Sequence, residues 1–154
     1  MNIQWFPGHM AKTRRLIKEN LKLVDVVIEL LDARIPLSSR NPEIDKLVGQ
    51  KPRIIALNKS DLSDPGKNKL WAQYFRKSNI EVIYTNAITG AGMDQLKIKL
   101  KELTRHKIES AAARGRTGRA VRTMVVGIPN VGKSAFINRI AGRASAQTGD
   151  KPGV

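Results

Sequence analysis

The chain predicts a three-layer α/β fold around a mostly parallel sheet, on three observations. Four short runs are almost continuously aliphatic and β-branched, as strands buried on both faces must be. Helical spacing of apolar residues follows each run. The loops that carry the candidate ligand-binding motifs all leave the carboxyl end of one of those runs, where open α/β sheets bind ligands.

Taken in order, the chain opens with an aromatic and basic segment, residues 1–23. Trp5, Phe6, Pro7, Gly8 and His9 precede a helical pattern with Leu16, Ile17, Leu21 and Leu23 on one side. Lys12, Arg14, Arg15, Lys18 and Lys22 occupy the other side. Residues 24–154 form one domain. Its first strand, Val24 to Leu31, is interrupted by Asp25 and Glu29, and a short helix runs from Asn41-Pro42 to Val48. A second strand spans Arg53 to Leu57. Asp64-Pro65 then opens a helix with Leu70, Trp71, Tyr74 and Phe75 at core-like spacing. The third strand is Ile80 to Tyr84, followed by a helix from Met93 to His106 with Leu96, Leu100 and Leu103 inward. Residues 107–119, rich in alanine, glycine and arginine, read as a basic flexible connection. A fourth strand, Val121 to Val126, leads into a last helix ending near Ala141.

Among the 154 residues, 28 Lys+Arg stand against 13 Asp+Glu, a formal charge of +15 that points to a polyanionic partner, most often nucleic acid. Candidate RNA contacts are Trp5, Lys12, Arg14, Arg15, Arg114, Arg116 and Arg119, the ring for stacking on an unpaired base and the cations for phosphates. With no cysteine there is neither a disulfide framework nor a thiolate metal site. No signal peptide and no run of about 18 apolar residues is present, so a cytoplasmic protein, without membrane contact, is expected.

Gly127-Ile128-Pro129-Asn130-Val131-Gly132-Lys133-Ser134 fits G-x-x-x-x-G-K-S between a strand and a helix, the context a phosphate-binding loop needs. Amides of Asn130, Val131 and Gly132 would converge on phosphate oxygens, Lys133 would reach the β- and γ-phosphates, and the Ser134 hydroxyl would ligate Mg²⁺. The fold class sharpens to a Ras-like P-loop NTPase. Asn58-Lys59-Ser60-Asp61 matches the N-K-x-D loop that reads guanine. The Asp61 carboxylate would accept from guanine N1–H and N2–H₂, whereas adenine would leave it buried and unpaired. Lys59 would lay its stem along the base, and Asn58 would tie this loop to the phosphate loop. Asn86 and Ala87, in Thr85-Asn86-Ala87-Ile88-Thr89-Gly90, sit where a third loop would back the guanine with amides, although an ordinary strand-to-helix loop explains them equally well.

The order of these motifs is inverted, because Asn58 precedes Gly127, whereas ordinary GTPases place the phosphate loop first. The connection 107–119 is what such a circular permutation requires. With Trp5-Phe6-Pro7-Gly8-His9-Met10, Asp32-Ala33-Arg34-Ile35-Pro36, Ser39-Arg40-Asn41-Pro42 and Asp150-Lys151-Pro152-Gly153-Val154, the chain resembles the bacterial YlqF/RbgA family of circularly permuted ribosome-biogenesis GTPases. The resemblance implies GTP and GDP as ligands with Mg²⁺, and GTP hydrolysis coupled to late maturation of the large ribosomal subunit. The alternative is a nucleotide-dependent RNA- or ribosome-binding module without turnover. The resemblance also suggests that Asn130 holds K⁺, against the plainer role of satisfying its own loop. The family replaces the water-orienting glutamine with a hydrophobic residue. His9 is the candidate for that task, contact with RNA or packing beside Trp5 being the alternative. A monomer is expected. The sequence ends at Val154, before the family's switch I threonine, its D-x-P-G loop and its C-terminal RNA-binding domain. These 154 residues alone are therefore expected to hydrolyse GTP negligibly.

Overall fold

The computed structural model describes residues 7–36, 43–59, 64–78, 80–117, 121–127 and 133–141, with side chains from Arg14 onward. Its elements run α1 (Pro7–Leu21), β1 (Val26–Asp32), α2 (Ile44–Val48), β2 (Arg53–Asn58), α3 (Pro65–Arg76), β3 (Glu81–Thr85), α4 (Met93–Ala113), β4 (Thr123–Val126) and α5 (Lys133–Ala141). The four strands form one parallel sheet in the order β3-β2-β1-β4. All seven residues of β1 are buried, which is why Val26 to Leu31 shows no alternation along the sequence.

Helices cover both faces. Val26, Ile28, Leu30, Ile54 and Ala56 point to one side, where Met93, Leu96 and Leu100 of α4 and Phe136 of α5 pack on them. On the other face Val27, Met124 and Val126 meet Ile17 and Leu21 of α1 and Ile44 and Val48 of α2. Further along that face Leu31, Ile55, Leu57 and Val82 meet Ala72 and Phe75 of α3. Period-2 alternation within each strand produces this two-sided core.

Local chemistry explains the element ends. Asp64 caps α3 by accepting from the amides of Gly66 at 2.7 Å and Lys67 at 3.3 Å, with Pro65 in the first turn. Helix α4 continues seven residues beyond His106, so the first half of the segment read as flexible is helical. Ala111-Ala112-Ala113 has the best helix propensity available, and Ala111 is buried. The helix stops at Gly115, φ 84°, where Gly115 N–H donates to the Ala112 carbonyl and Arg116 N–H to that of Ala111, a Schellman motif. Three apolar side chains assigned inward stand in solvent instead: Leu23, Leu70 and Tyr74 are 62%, 66% and 53% exposed. Tyr74 serves as an edge against Trp71 and Phe75, with centroids 5.8 and 5.2 Å away.

Gly92, at φ 78°, begins α4 so close to β3 that an added Cβ would lie 1.9 Å from the Tyr84 carbonyl oxygen. Gly49 also has positive φ, 58°, but nothing within 4 Å of a Cβ. Gly92→Ala should therefore cost well over 2 kcal/mol in denaturant unfolding, and Gly49→Ala only about 1 kcal/mol. Equal costs would show that backbone strain alone, without the clash, sets both values.

Candidate nucleotide site

The sheet order creates the place for a ligand. β1 feeds α2 on one face, whereas its neighbour β4 feeds α5 on the other. Connections diverging from adjacent strands leave a crevice at their carboxyl ends. Asp32 closes β1 at that edge, Asn58 pairs beside it in β2, and Thr85 lies opposite Asn58 in β3.

From β4 the chain passes through Gly127 to α5, whose first residues are half-buried Lys133 and exposed Ser134. Residues 128–132, including Asn130, Val131 and Gly132, lie outside the described residues, as do Trp5, Ser60, Asp61 and Arg119. Only the backbone of His9 and Lys12, in α1, is described. The direction of α1 nevertheless bears on His9. Arg14 forms a two-pronged ion pair with Glu43 at the head of α2, on the carboxyl side of β1. Leu21 packs where α1 leads into the start of β1. The amino end of α1, and with it the His9 backbone, is thus directed toward the edge that carries the nucleotide loops. The same pairing engages the Arg14 guanidinium, one of the expected RNA contacts, while Arg15 stays exposed.

Asn58 is 3% exposed, and its Oδ1 accepts from the Ala87 amide at 3.1 Å and the Thr85 hydroxyl at 3.4 Å. Its described bonds therefore join the base-reading loop to the loop after β3. Its expected tie to the phosphate loop falls on residues 128–132, which lie outside the described residues. Asn86 Oδ1 accepts from the amides of Ile88 at 2.9 Å and Thr89 at 3.1 Å, while its own N–H donates to Ala91 O. The Ala87 amide, expected at the base, is thus engaged by Asn58, and the loop's shape is set by its own hydrogen bonds. Arg139, which the sequence reading passed over, donates from Nε to the Ala87 carbonyl at 3.1 Å and from its guanidinium end to that of Ile88. It ties α5 to the same loop. A lone arginine on an amphipathic helix carries no signal of such a role.

Lys59 adopts φ 61°, a left-handed conformation uncommon for a non-glycine residue and often found at functional turns. Its ammonium lies 3.8 Å from the Asp32 carboxylate. Asp32, nearly fully buried, also accepts from the Arg34 amide at 2.9 Å and from its guanidinium at 3.0 and 2.7 Å. Those arginine hydrogen bonds, led by the side-chain pair, hold the Asp32 carboxyl below the usual carboxylate range against burial, with Lys59 adding to the effect. Asp32 thus joins the end of β1 to the loop that carries Asp61.

A parallel sheet with a G-K-S loop at its switch point and an N-K-S-D loop beside it has the fold of a P-loop GTPase domain. The sequence profile described as 50S ribosome-binding GTPase matches residues 122–154. The chain is 52% identical over 154 residues to ribosome biogenesis GTPase A of Bacillus licheniformis, covering all of this chain and 54% of that protein. Mitochondrial ribosome-associated GTPase 1 of Mus musculus is 39% identical over 163 residues, covering 98% of this chain and 47% of that one. GNP-bound YlqF from T. maritima superposes with a TM-score of 0.62 at 35% identity, covering 88% of this chain and 50% of YlqF. Over the residues it spans, the chain is similar throughout to ribosome biogenesis GTPase A and to YlqF, and it carries its motifs in the inverted order. It spans about half the length of these relatives.

The Asp32 ion pairs set an acid limit. Its folded pKa lies below the unfolded value of about 3.9. The stabilisation is therefore complete above that value and is lost as pH falls through the folded pKa. Asp32→Asn should flatten the loss of stability expected as pH falls below about 4 in unfolding titrations and lower stability at pH 7. An unchanged acid limb would remove Asp32 from this role.

Proposed function

We propose that the protein binds and hydrolyses GTP as a switch in late assembly of the large ribosomal subunit, acting as a cytoplasmic monomer. The observation that carries this reading is the meeting of the strands leading to Lys133-Ser134 and to Asn58-Lys59 at one edge of the sheet, beside its switch point. The relatives' names, ribosome biogenesis GTPase A and mitochondrial ribosome-associated GTPase 1, support it. So do the solved forms of YlqF with GNP and with GDP. Among the described residues no helix is long and apolar enough to cross a membrane.

In this reading Lys133 neutralises the β- and γ-phosphates at the amino end of α5, whose amides face the anion. Ser134, in the first turn of α5, offers the hydroxyl oxygen that suits Mg²⁺. The bound ion would offset charge on the phosphate oxygens. Asp61 selects guanine, Lys59 covers the base, and Asn58 braces the Thr85–Ala87 loop behind it. Asn130 is assigned to K⁺. His9, on the end of α1 directed toward this edge, orients the attacking water and takes up its proton.

The test is sedimentation with large and, in parallel, small ribosomal subunits, using a non-hydrolysable GTP analogue or GDP across a salt series. Binding to large subunits should survive salt and be stronger with the analogue. Equal binding to both subunits that fades with salt would leave only the basic charge speaking. In a protein spanning the full length of the relatives, His9→Ala should lower subunit-stimulated turnover about 100-fold while nucleotide-dependent binding persists. At that full length, nucleotide-dependent binding without subunit-stimulated turnover would instead identify a non-hydrolysing module. Asp61→Asn should shift preference from guanine toward xanthine nucleotides, since the C2 carbonyl then needs a donor. Retained guanine preference in competition binding would sink the base assignment.

A further inference from the structure

The amino-terminal edge of the sheet, opposite the nucleotide loops, holds a second site. A hollow of about 500 Å³ opens there between the connections entering β1, β2 and β4 and the far end of α4. Helix α4 has 21 residues, about 30 Å, whereas β1 has seven, about 23 Å. The last turns of α4 thus overhang the sheet and form one wall.

Charge defines the hollow. Its lining includes Lys22, Lys51, Lys107, Arg114, Arg116 and Arg122, with His106 among them, and its single carboxylate among the described residues is Asp25. Asp25 is 3% exposed and belongs to the framework. Its Oδ2 accepts the Arg122 amide at 3.0 Å, and its Oδ1 lies 3.7 Å from the Lys107 ammonium. Lys51 donates to the Val24 carbonyl at 2.8 Å, and Arg114 Nε to the Ser110 carbonyl at 3.3 Å. These bonds fix the walls. They leave a concentration of positive charge that one aspartate does not balance, and such a concave cluster gathers polyanions.

We propose that this hollow grips the phosphodiester backbone of RNA. The proposal rests on the reading of the protein as an RNA-associated switch and assigns that contact a place. Two features favour an extended chain of phosphates over a compact ion. Arg15, Lys18 and Lys22, spaced i, i+3 and i+7 and all exposed, carry the positive strip along α1 into the hollow. The lining also comes from four separate stretches of chain, which spreads its cations around the rim. Among the described residues no phenylalanine, tyrosine or tryptophan lines it, so recognition goes to the backbone and is independent of base sequence.

The full-length chain with Lys22→Ala, Arg116→Ala and Arg122→Ala, three exposed side chains, tests this against a control with Lys69→Ala, Lys97→Ala and Lys101→Ala, exposed and away from the hollow. Both carry the same net charge. Circular dichroism checks folding, and the binding of a short RNA duplex is followed by fluorescence anisotropy across a salt series. The hollow variant should lose about tenfold or more in affinity, and its log K against log salt slope should fall by roughly 2 to 3 relative to the control. The hollow variant should keep the affinity of the unaltered protein for the GTP analogue, because its altered residues lie at the edge opposite the nucleotide loops. Equal losses in the two variants would overturn the site. Saturable binding of inorganic triphosphate by the hollow, with duplex affinity unchanged in the variant, would overturn it too, by giving the site to a free phosphate ligand. A hollow variant that behaves like the control while the unaltered protein still sediments selectively with large subunits fails this inference alone. Loss of that selectivity fails the functional reading instead.

Discussion

The pairing of β1 with β4 is the constraint on which the molecule depends. Val26 stands beside Thr123, and buried Asp25 accepts the Arg122 amide across 97 positions of sequence. Closing so long a loop carries an entropic cost that only the burial of both strands and their helices offsets. Once made, the pairing acts at both ends. At the carboxyl ends it sets the phosphate-loop strand against the strand that ends in Asp32. At the amino ends it brings Arg122 to the overhanging end of α4.

Rigidity at the carboxyl edge comes from buried polar groups that satisfy one another. Asn58, Thr85, Ala87 and Arg139 link β2, the loop after β3 and α5. Asp32 links the end of β1 with Arg34 and Lys59. A further chain crosses the face beneath α2: Glu29, 1% exposed, lies 3.3 Å from Arg53, which lies 2.7 Å from Asp45. Breaking such a chain at one member leaves a buried charge unpaired, so these positions act together. The two interruptions in the first strand, Asp25 and Glu29, are therefore supports.

Much of the fold was legible because it rests on local rules. Aliphatic runs gave the strands, Asp64-Pro65 gave the start of α3, and motif spacing gave the loops at the carboxyl edge. The reading of 107–119 as a flexible connection went astray where composition and propensity disagree. Arginine and glycine suggest a linker, yet three alanines carry α4 to Ala113 before Gly115 stops it. Leu70 and Tyr74 show the opposite failure, since helical spacing marks an apolar face but cannot say how far the neighbouring layer extends to cover it.

The sequence alone determined the fold class, the inverted motif order and the candidate nucleotide loops. Each of these depends on residue types at short, fixed separations, which backbone geometry translates directly into structure. The tertiary structure decided that Asn58 braces the loop after β3, that Arg139 of α5 reaches that loop, and that Arg14 is held by Glu43. It also gathered Lys22, Lys51, Arg114 and Arg122 into one hollow. Apart from Arg114 and Arg122, those partners are 29 to 100 residues apart in the chain, and no local rule carries that distance. Only strand order and the length of α4 against the sheet bring them within reach.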